Sequence, residues 1–358
     1  MSVDSSSFEV VHQASLPNGL LGRFSSPLWL TGNQARQKKG HTWALVLAAG
    51  EGSRLQGLVR ETYGLAIPKQ FCSLFGGKSL LETALLRGAK LAHEEHVCTV
   101  VAEQHRHFWR PPLSTLGDDN IIVQPFNRGT ANGVLYPLLR ILQRDPEASV
   151  VLLPSDHHVE DEALFNDSIR QALLRLDEHP EHVHLLGIEP NSPDGELGYI
   201  VPGEDTGRSS LKVLQFVEKP SVDQARDLIK EGGLWNAFIV VAKARALLDL
   251  FNRRLPEIVI EMKAIVEYSL RSARSSSVLS QLYARLPTVD FSRHVLQGQE
   301  ERLRVVPVPE CGWSDLGTPK SLMAVLRRSS GMHQSVMSSL GYSKQACLSV
   351  AARQALGS

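Results

Sequence analysis

The sequence predicts an α/β fold, a parallel sheet with helices on its faces, and three observations carry that prediction. Continuous apolar runs stand at 43–49, 97–102, 121–123, 150–153, 183–188 and 238–241, and a run without polar alternation is the pattern of a strand buried on both faces. Helical patterns fill the intervals at 79–92, 130–144, 163–176, 223–231 and 245–255, and such alternation gives right-handed crossovers between parallel strands. The chain of 358 residues, 42% hydrophobic and 21% charged, is long and apolar enough to bury this sheet without disulfides.

Taken in order, residues 1–40 mix polarity without a period and are expected to form a flexible leader. Asp4 and Glu9 among serines do not make the basic, then apolar, start of a signal peptide. The first strand begins at Trp43 and runs into Gly50. From 194 to 220 short strands with Gly and Pro turns suggest a smaller β-rich insertion. Residues 256–330 combine a helix, a strand-like segment at 302–308 and a closing Gly-rich motif, and the Ser- and Ala-rich stretch 329–358 is expected to be a loosely ordered tail. In sheets of this kind ligands gather at the carboxyl ends of the strands, so the residues that follow each strand hold the chemistry.

Composition excludes several classes of function. Lys+Arg and Asp+Glu are both 38, so no basic excess exists to neutralise a nucleic-acid backbone. Cys72, Cys98, Cys311 and Cys347 form no C-x-x-C pair, which fits a reducing compartment and gives no zinc motif. No apolar run approaches the ~18 residues of a membrane helix. The expectation is a cytoplasmic protein with neither nucleic acid nor membrane as partner.

The first strand ends in Ala49-Gly50-Glu51-Gly52-Ser53-Arg54-Leu55. Glycines at 50 and 52 let backbone N–H groups approach phosphate oxygens, and Arg54 adds fixed positive charge. A dinucleotide fingerprint would need a third glycine where Leu55 stands, and Gly76-Gly77-Lys78-Ser79 is no Walker loop because its first glycine is replaced by Cys72. Pro68-Lys69-Gln70-Phe71 then places a lysine after a rigid bend, where it can fold back on the same phosphates.

These two stretches together resemble the signature of sugar-1-phosphate nucleotidyltransferases, and the Lys-Gln-Phe version is most similar to mannose-1-phosphate guanylyltransferases. Further motifs appear in that family's order: Gln124-Pro125-x-Asn127-Arg128-x-Thr130-Ala131, Leu153-Pro154-Ser155-Asp156-His157, Leu197-Gly198-Tyr199-Ile200, Glu218-Lys219-Pro220, Trp235-Asn236 and Gly312-Trp313-Ser314-Asp315-Leu316-Gly317. The resemblance covers about 43–325 and implies a Rossmann-like nucleotidyltransferase domain at 41–328. Its mixed, mostly parallel sheet is flanked by helices and carries a small β-rich or α+β sugar-binding part at about 190–300. The implied substrates are GTP, or another nucleoside triphosphate, and a sugar 1-phosphate, with Mg²⁺ as cofactor; homodimerisation is left open.

By the same resemblance, Arg54, Lys69, Asp156 and Lys219 carry the catalysis. Ala49, Gly50, Gly52, Ser53, Arg54, Lys69, Gln124, Asn127, Arg128 and Thr130 meet the nucleotide, while Gly198, Glu218, Lys219, Asn236 and Asp290 hold the sugar phosphate. Asp156 and Asp315, about 160 residues apart, share the metal. On the residues alone, plainer readings stand beside these: Asp156 as an N-cap for the next helix, Asp315 as a turn aspartate, and Glu218-Lys219 as a solvated ion pair. His157 and His158 are adjacent, cannot naturally face one ion, and read as structural.

Departures are specific. Ala49 stands where many members have glycine, Gln56-Gly57 replaces an aromatic–proline pair, and Ala237-Phe238 replaces Ser-Gly after Trp235-Asn236, which reshapes the sugar pocket. Two alternatives follow, a different base or sugar for the same reaction, or a silent regulator that binds a nucleotide sugar.

Overall fold

The computed structural model describes residues 40–52, 56–63, 66–75, 77–204, 210–269 and 275–328. Nine strands, β1 (Thr42–Ala48), β2 (Val97–Ala102), β3 (Ile121–Gln124), β4 (Ser149–Pro154), β5 (Val183–Ile188), β6 (Gly198–Pro202), β7 (Leu211–Glu218), β8 (Leu234–Lys243) and β9 (Leu303–Val308), form one sheet in the order β3-β2-β1-β4-β8-β5-β9-β7-β6. The helices are α1 (Gln56–Tyr63), α2 (Leu80–Ala89), α3 (Arg106–Trp109), α4 (Gly129–Arg144), α5 (Glu162–Arg175), α6 (Val222–Lys230), α7 (Ala244–Arg254), α8 (Pro256–Ser269), α9 (Ser275–Arg285) and α10 (Pro319–Arg328).

The sheet is mixed. Parallel pairings join β1 to β2 and to β4, β2 to β3, and β5 to β9. Antiparallel pairings join β8 to β4, β5 and β6, and β7 to β6 and β9. A strand buried on both faces reads as a continuous apolar run whichever way it points, so the run at 238–241 holds no information on the direction of β8. The strands of the 194–220 region extend the common sheet, because β6 pairs with β8 and β7 with β9.

Side chains alternate between two cores, one on each face. Trp43 and Leu45 enter the core shared with α4, α7, α8 and α9, while Ala44 and Val46 enter the core shared with α2, α5, α6 and α10. Helix starts are chemically specified. Ser79 and Glu82 form a capping box on α2, Ser221 and Gln224 do the same on α6, and Asp161 caps α5 by accepting from the Ala163 and Leu164 N–H groups. No described helix is long and apolar enough to cross a membrane.

Candidate active site

A cavity of about 430 Å³ opens where residues following β1, β3 and β4 meet the start of β6 and β8 and the end of β7. Its walls include Ala49, Gly50, Gly52, Gln124, Asn127, Thr130, Asp156, Gly198, Glu218, Lys219, Asn236, Asp290 and Asp315. Thus thirteen positions expected from sequence to bind nucleotide, sugar or metal share one space. Ser53 and Arg54 lie outside the described residues, as do 1–39 and 329–358.

The glycine loop is fastened from below by the 68–71 segment. Gln70, fully enclosed, donates its amide to the Ala48 carbonyl at 3.2 Å and to the Gly50 carbonyl at 2.7 Å. Gly52 has φ +60° and sits so close to Lys69 that a Cβ would stand 2.8 Å from the Lys69 nitrogen. No other residue type fits that turn. On the neighbouring strand, Ser155 donates to the Leu47 carbonyl at 2.7 Å, tying the end of β4 to β1.

Lys69 behaves differently from its sequence reading. Its ammonium is buried and all three donors are engaged, with Asp156 Oδ2 at 3.1 Å, the Asp315 carbonyl at 2.7 Å and the Leu316 carbonyl at 3.2 Å. The expected contact with triphosphate oxygens would require one of these bonds to break. In this arrangement Lys69 is an internal tether between the two segments that hold the aspartates.

Those segments are also paired by backbone. His158 and Ser314 form an isolated antiparallel bridge, each donating its N–H to the other's carbonyl at 2.9 Å. Asp161, not Asp156, caps α5, so the N-cap reading of Asp156 is excluded. Asp156 and Asp315 therefore line one cavity despite lying about 160 residues apart. Two hard carboxylates suit a divalent cation whose remaining ligands are substrate phosphates and water. Among the described residues, the one set of three or more clustered metal-type ligands is elsewhere, at His179, Glu181 and His182, and there His182 Nε2 already accepts from Arg304 at 2.7 Å. His157 stands edge-on to Trp313, with ring centroids 5.2 Å apart, and burial pulls its pKa down to about 4, so it is a neutral wall residue.

A second group surrounds Gly198. A Cβ there would stand 2.6 Å from Glu218 Oε2 and 3.3 Å from the Asn236 Cβ, so only glycine leaves these side chains in place. Burial, and then the negative charge of Asp290, push the Glu218 carboxyl from near 4.5 up to about 7, against the opposing pull of Lys219 and Arg293. Trp235 supports this wall by donating to the Tyr199 hydroxyl at 3.0 Å. Among the described residues, three non-glycine residues have left-handed φ: Lys219 (52°), Phe238 (56°) and Leu316 (49°). Two of them line the cavity and the third follows Asp315. Such a conformation costs of the order of 1–3 kcal/mol and persists only where surroundings enforce it.

Three residues expected on the nucleotide side also make contacts within the protein. Arg128 does not border the cavity; its guanidinium donates to the Tyr283 carbonyl at 2.7 Å and the Ala284 carbonyl at 2.9 Å, fixing the helix end of α9. The Thr130 hydroxyl accepts from the Phe291 N–H at 2.8 Å, so it holds the 288–291 segment against the loop. Asn127 turns its carbonyl oxygen onto the Gly129 N–H at 3.0 Å. Gln124 keeps its place: it is enclosed, lines the cavity, and its Oε1 meets no partner among the described residues. The sequence assigned no role to Gln70 or Ser155, whereas Phe238 was expected, with Ala237, to reshape the sugar pocket. The amide of Gln70 was visible within the Pro68-Lys69-Gln70-Phe71 motif, but its carbonyl partners come from the chain bend and have no signal of their own.

A family model described as nucleotidyl transferase matches residues 43–330. Xanthan biosynthesis protein XanB from Xanthomonas campestris pv. campestris (strain B100) is 30% identical over 285 residues, 78% of this chain and 58% of that protein. A mannose-1-phosphate guanylyltransferase from Klebsiella pneumoniae is 29% identical over 288 residues, 78% of this chain and 59% of that one. The chain thus spans somewhat under two thirds of the length of these curated relatives. A solved structure from Thermus thermophilus, described as a mannose-1-phosphate geranyltransferase, matches with TM-score 0.68 at 32% identity, over 80% of this chain and 79% of that one.

Proposed function

Because this chain belongs to the nucleotidyl transferase family, we propose that it transfers the nucleotidyl group of GTP to mannose 1-phosphate, in the cytoplasm, releasing pyrophosphate and a nucleotide sugar. The observation that supports this reading best is the gathering of Asp156, Asp315, Glu218 and Lys219 with the glycine loop around one cavity. The names of the relatives, which concern mannose 1-phosphate and xanthan, favour the sugar and its use in polysaccharide assembly.

The reaction needs no covalent enzyme intermediate, since a phosphate monoester is already an anionic nucleophile. Its oxygen attacks the α-phosphorus in line with the departing pyrophosphate, and the protein contributes position and charge. N–H groups of the 49–52 loop receive the triphosphate. The Gln124 oxygen, which meets no partner among the described residues, accepts from a base-edge N–H such as guanine offers. Lys219 offsets the repulsion between two anionic substrates. Glu218, half protonated near neutral pH, exchanges hydrogen bonds with sugar hydroxyls alongside Asn236 and Asp290. Asp156 and Asp315 are the residues that would hold Mg²⁺, which when bound supplies charge neutralisation at phosphate oxygens.

The test is pyrophosphate release by the purified chain with Mg²⁺ across four nucleoside triphosphates and several sugar 1-phosphates. Release with GTP and mannose 1-phosphate is the expected result. Release with another pair keeps the chemistry and moves the substrate, a second reading favoured by the altered Ala237-Phe238 wall. Silence across the grid with nucleotide sugar still bound would replace the enzyme by a binding protein.

A further inference from the structure

Phe238 occupies a backbone position built for glycine. The register between β5 and β8 slips there: Leu185 pairs with Val240 but Gly187 pairs with Asn236, so β8 bulges between the two pairs. Bulges beside active sites re-aim side chains, and the left-handed residue within one is commonly glycine. In this chain it is a phenylalanine at φ +56°, lining the cavity. The conformation is enforced on two sides. The Phe238 N–H donates to Asn236 Oδ1 at 3.0 Å, and its ring meets the fully buried Phe291 ring edge-on with centroids 5.9 Å apart. Phe291 follows Asp290, the residue whose charge acts on Glu218. The aromatic side chain therefore stands among the polar groups that would face a sugar, where a glycine would leave open space.

We propose that Phe238 sets the size limit of the sugar pocket, admitting a plain hexose 1-phosphate and excluding one that carries an acylamino substituent. The inference rests on the reading of the cavity as a nucleotide and sugar 1-phosphate site. A hydroxyl and an acetamido group differ by several heavy atoms, and a pocket that must displace a packed ring to receive the larger group discriminates by about tenfold or more.

The experiment measures kcat/KM for pyrophosphate release with a hexose 1-phosphate and with the corresponding N-acetylhexosamine 1-phosphate, for the full chain, Phe238→Gly and Phe238→Asn. Glycine and asparagine both accept left-handed φ, so neither replacement adds backbone strain, and thermal melts report folding. The expected result is a selectivity ratio shifted at least tenfold toward the acetamido sugar in Phe238→Gly, with a smaller shift in Phe238→Asn. Should Phe238→Gly fail to melt cooperatively, Phe238→Asn decides. A wild-type chain that turns over hexose 1-phosphate while neither variant moves the ratio by more than twofold overturns the inference and leaves the proposed function standing. A wild-type chain that turns over no sugar 1-phosphate overturns both.

Discussion

The two halves of the cavity are made by different means. On the nucleotide side, parallel strands β1 and β4 end side by side, and the chain turns through glycines, with Gly52 at φ +60° and Gly129 at φ +82°. Hydrogen bonds from Gln70 and Ser155 then hold the loop to the sheet. On the sugar side, antiparallel β6, β7 and β8 meet, and the left-handed positions are filled by Lys219 and Phe238. Glycine relieves the backbone in the first half, whereas surrounding contacts must enforce it in the second. On the function proposed above, the half that would handle phosphates common to every nucleoside triphosphate is permissive backbone, and the half that would tell sugars apart is strained side chain.

The sharpest way to break this comparison is to act where the halves join. On the proposed function Asp156 would hold the cation that neutralises the substrate phosphates, so Asp156→Asn should lower turnover by about a thousandfold. Nucleotide-sugar affinity, read by calorimetry, should stay within a few-fold. Unchanged pyrophosphate release would remove Asp156 from the metal site. Lys69→Met comes next. It deletes the tether to Asp156 and to the Asp315 and Leu316 carbonyls. The expected result is a kcat about a hundredfold lower, with the melting temperature down by several degrees because three acceptors lose their donor. A variant with full kcat would mean that the His158–Ser314 bridge alone holds the two aspartates together.

Much of this arrangement is legible in the sequence, for identifiable reasons. The runs at 97–102 and 183–188 coincide with β2 and β5 because both strands are covered on both faces, and the single polar residue in each, Thr99 and His184, is itself buried. The glycine loop and the Asp156 motif are local, so their spacing survives in one dimension. The meeting of Asp156 with Asp315 is not local; it depends on the His158–Ser314 pairing, and only the resemblance pointed to it. Arg128 shows the opposite failure. Its motif placed it beside the nucleotide, but the carbonyls at the end of α9 compete for the guanidinium and take it. Nothing in a sequence pattern announces such a competitor, whereas the left-handed φ of Phe238 falls where the resembled family has glycine.

Smaller effects separate the halves. Gly198→Ala places a Cβ 2.6 Å from Glu218 Oε2, so the Glu218 side chain must shift. The KM for sugar 1-phosphate should rise about tenfold while the KM for nucleoside triphosphate stays within twofold. Equal changes in both would show that the two halves move as one.

The mildest test reads stability instead of turnover, and concerns Glu218. Burial and Asp290 raise its folded pKa from near 4.5 to about 7. Between those values the native chain keeps a proton that the unfolded chain has released. Stability from this group is therefore full below about 4.5 and is lost as pH rises through about 7. The loss amounts to roughly 3 kcal/mol at most, since each tenfold change in proton affinity is worth about 1.4 kcal/mol. Glu218→Gln has no charge to bury. In chelator, its melting temperature should match that of the wild type near pH 4.5 and exceed it by a few degrees at pH 8. Parallel melting curves across that range would mean that Lys219 and Arg293 already stabilise the charged carboxylate, and that the sugar side is less strained than its backbone angles imply.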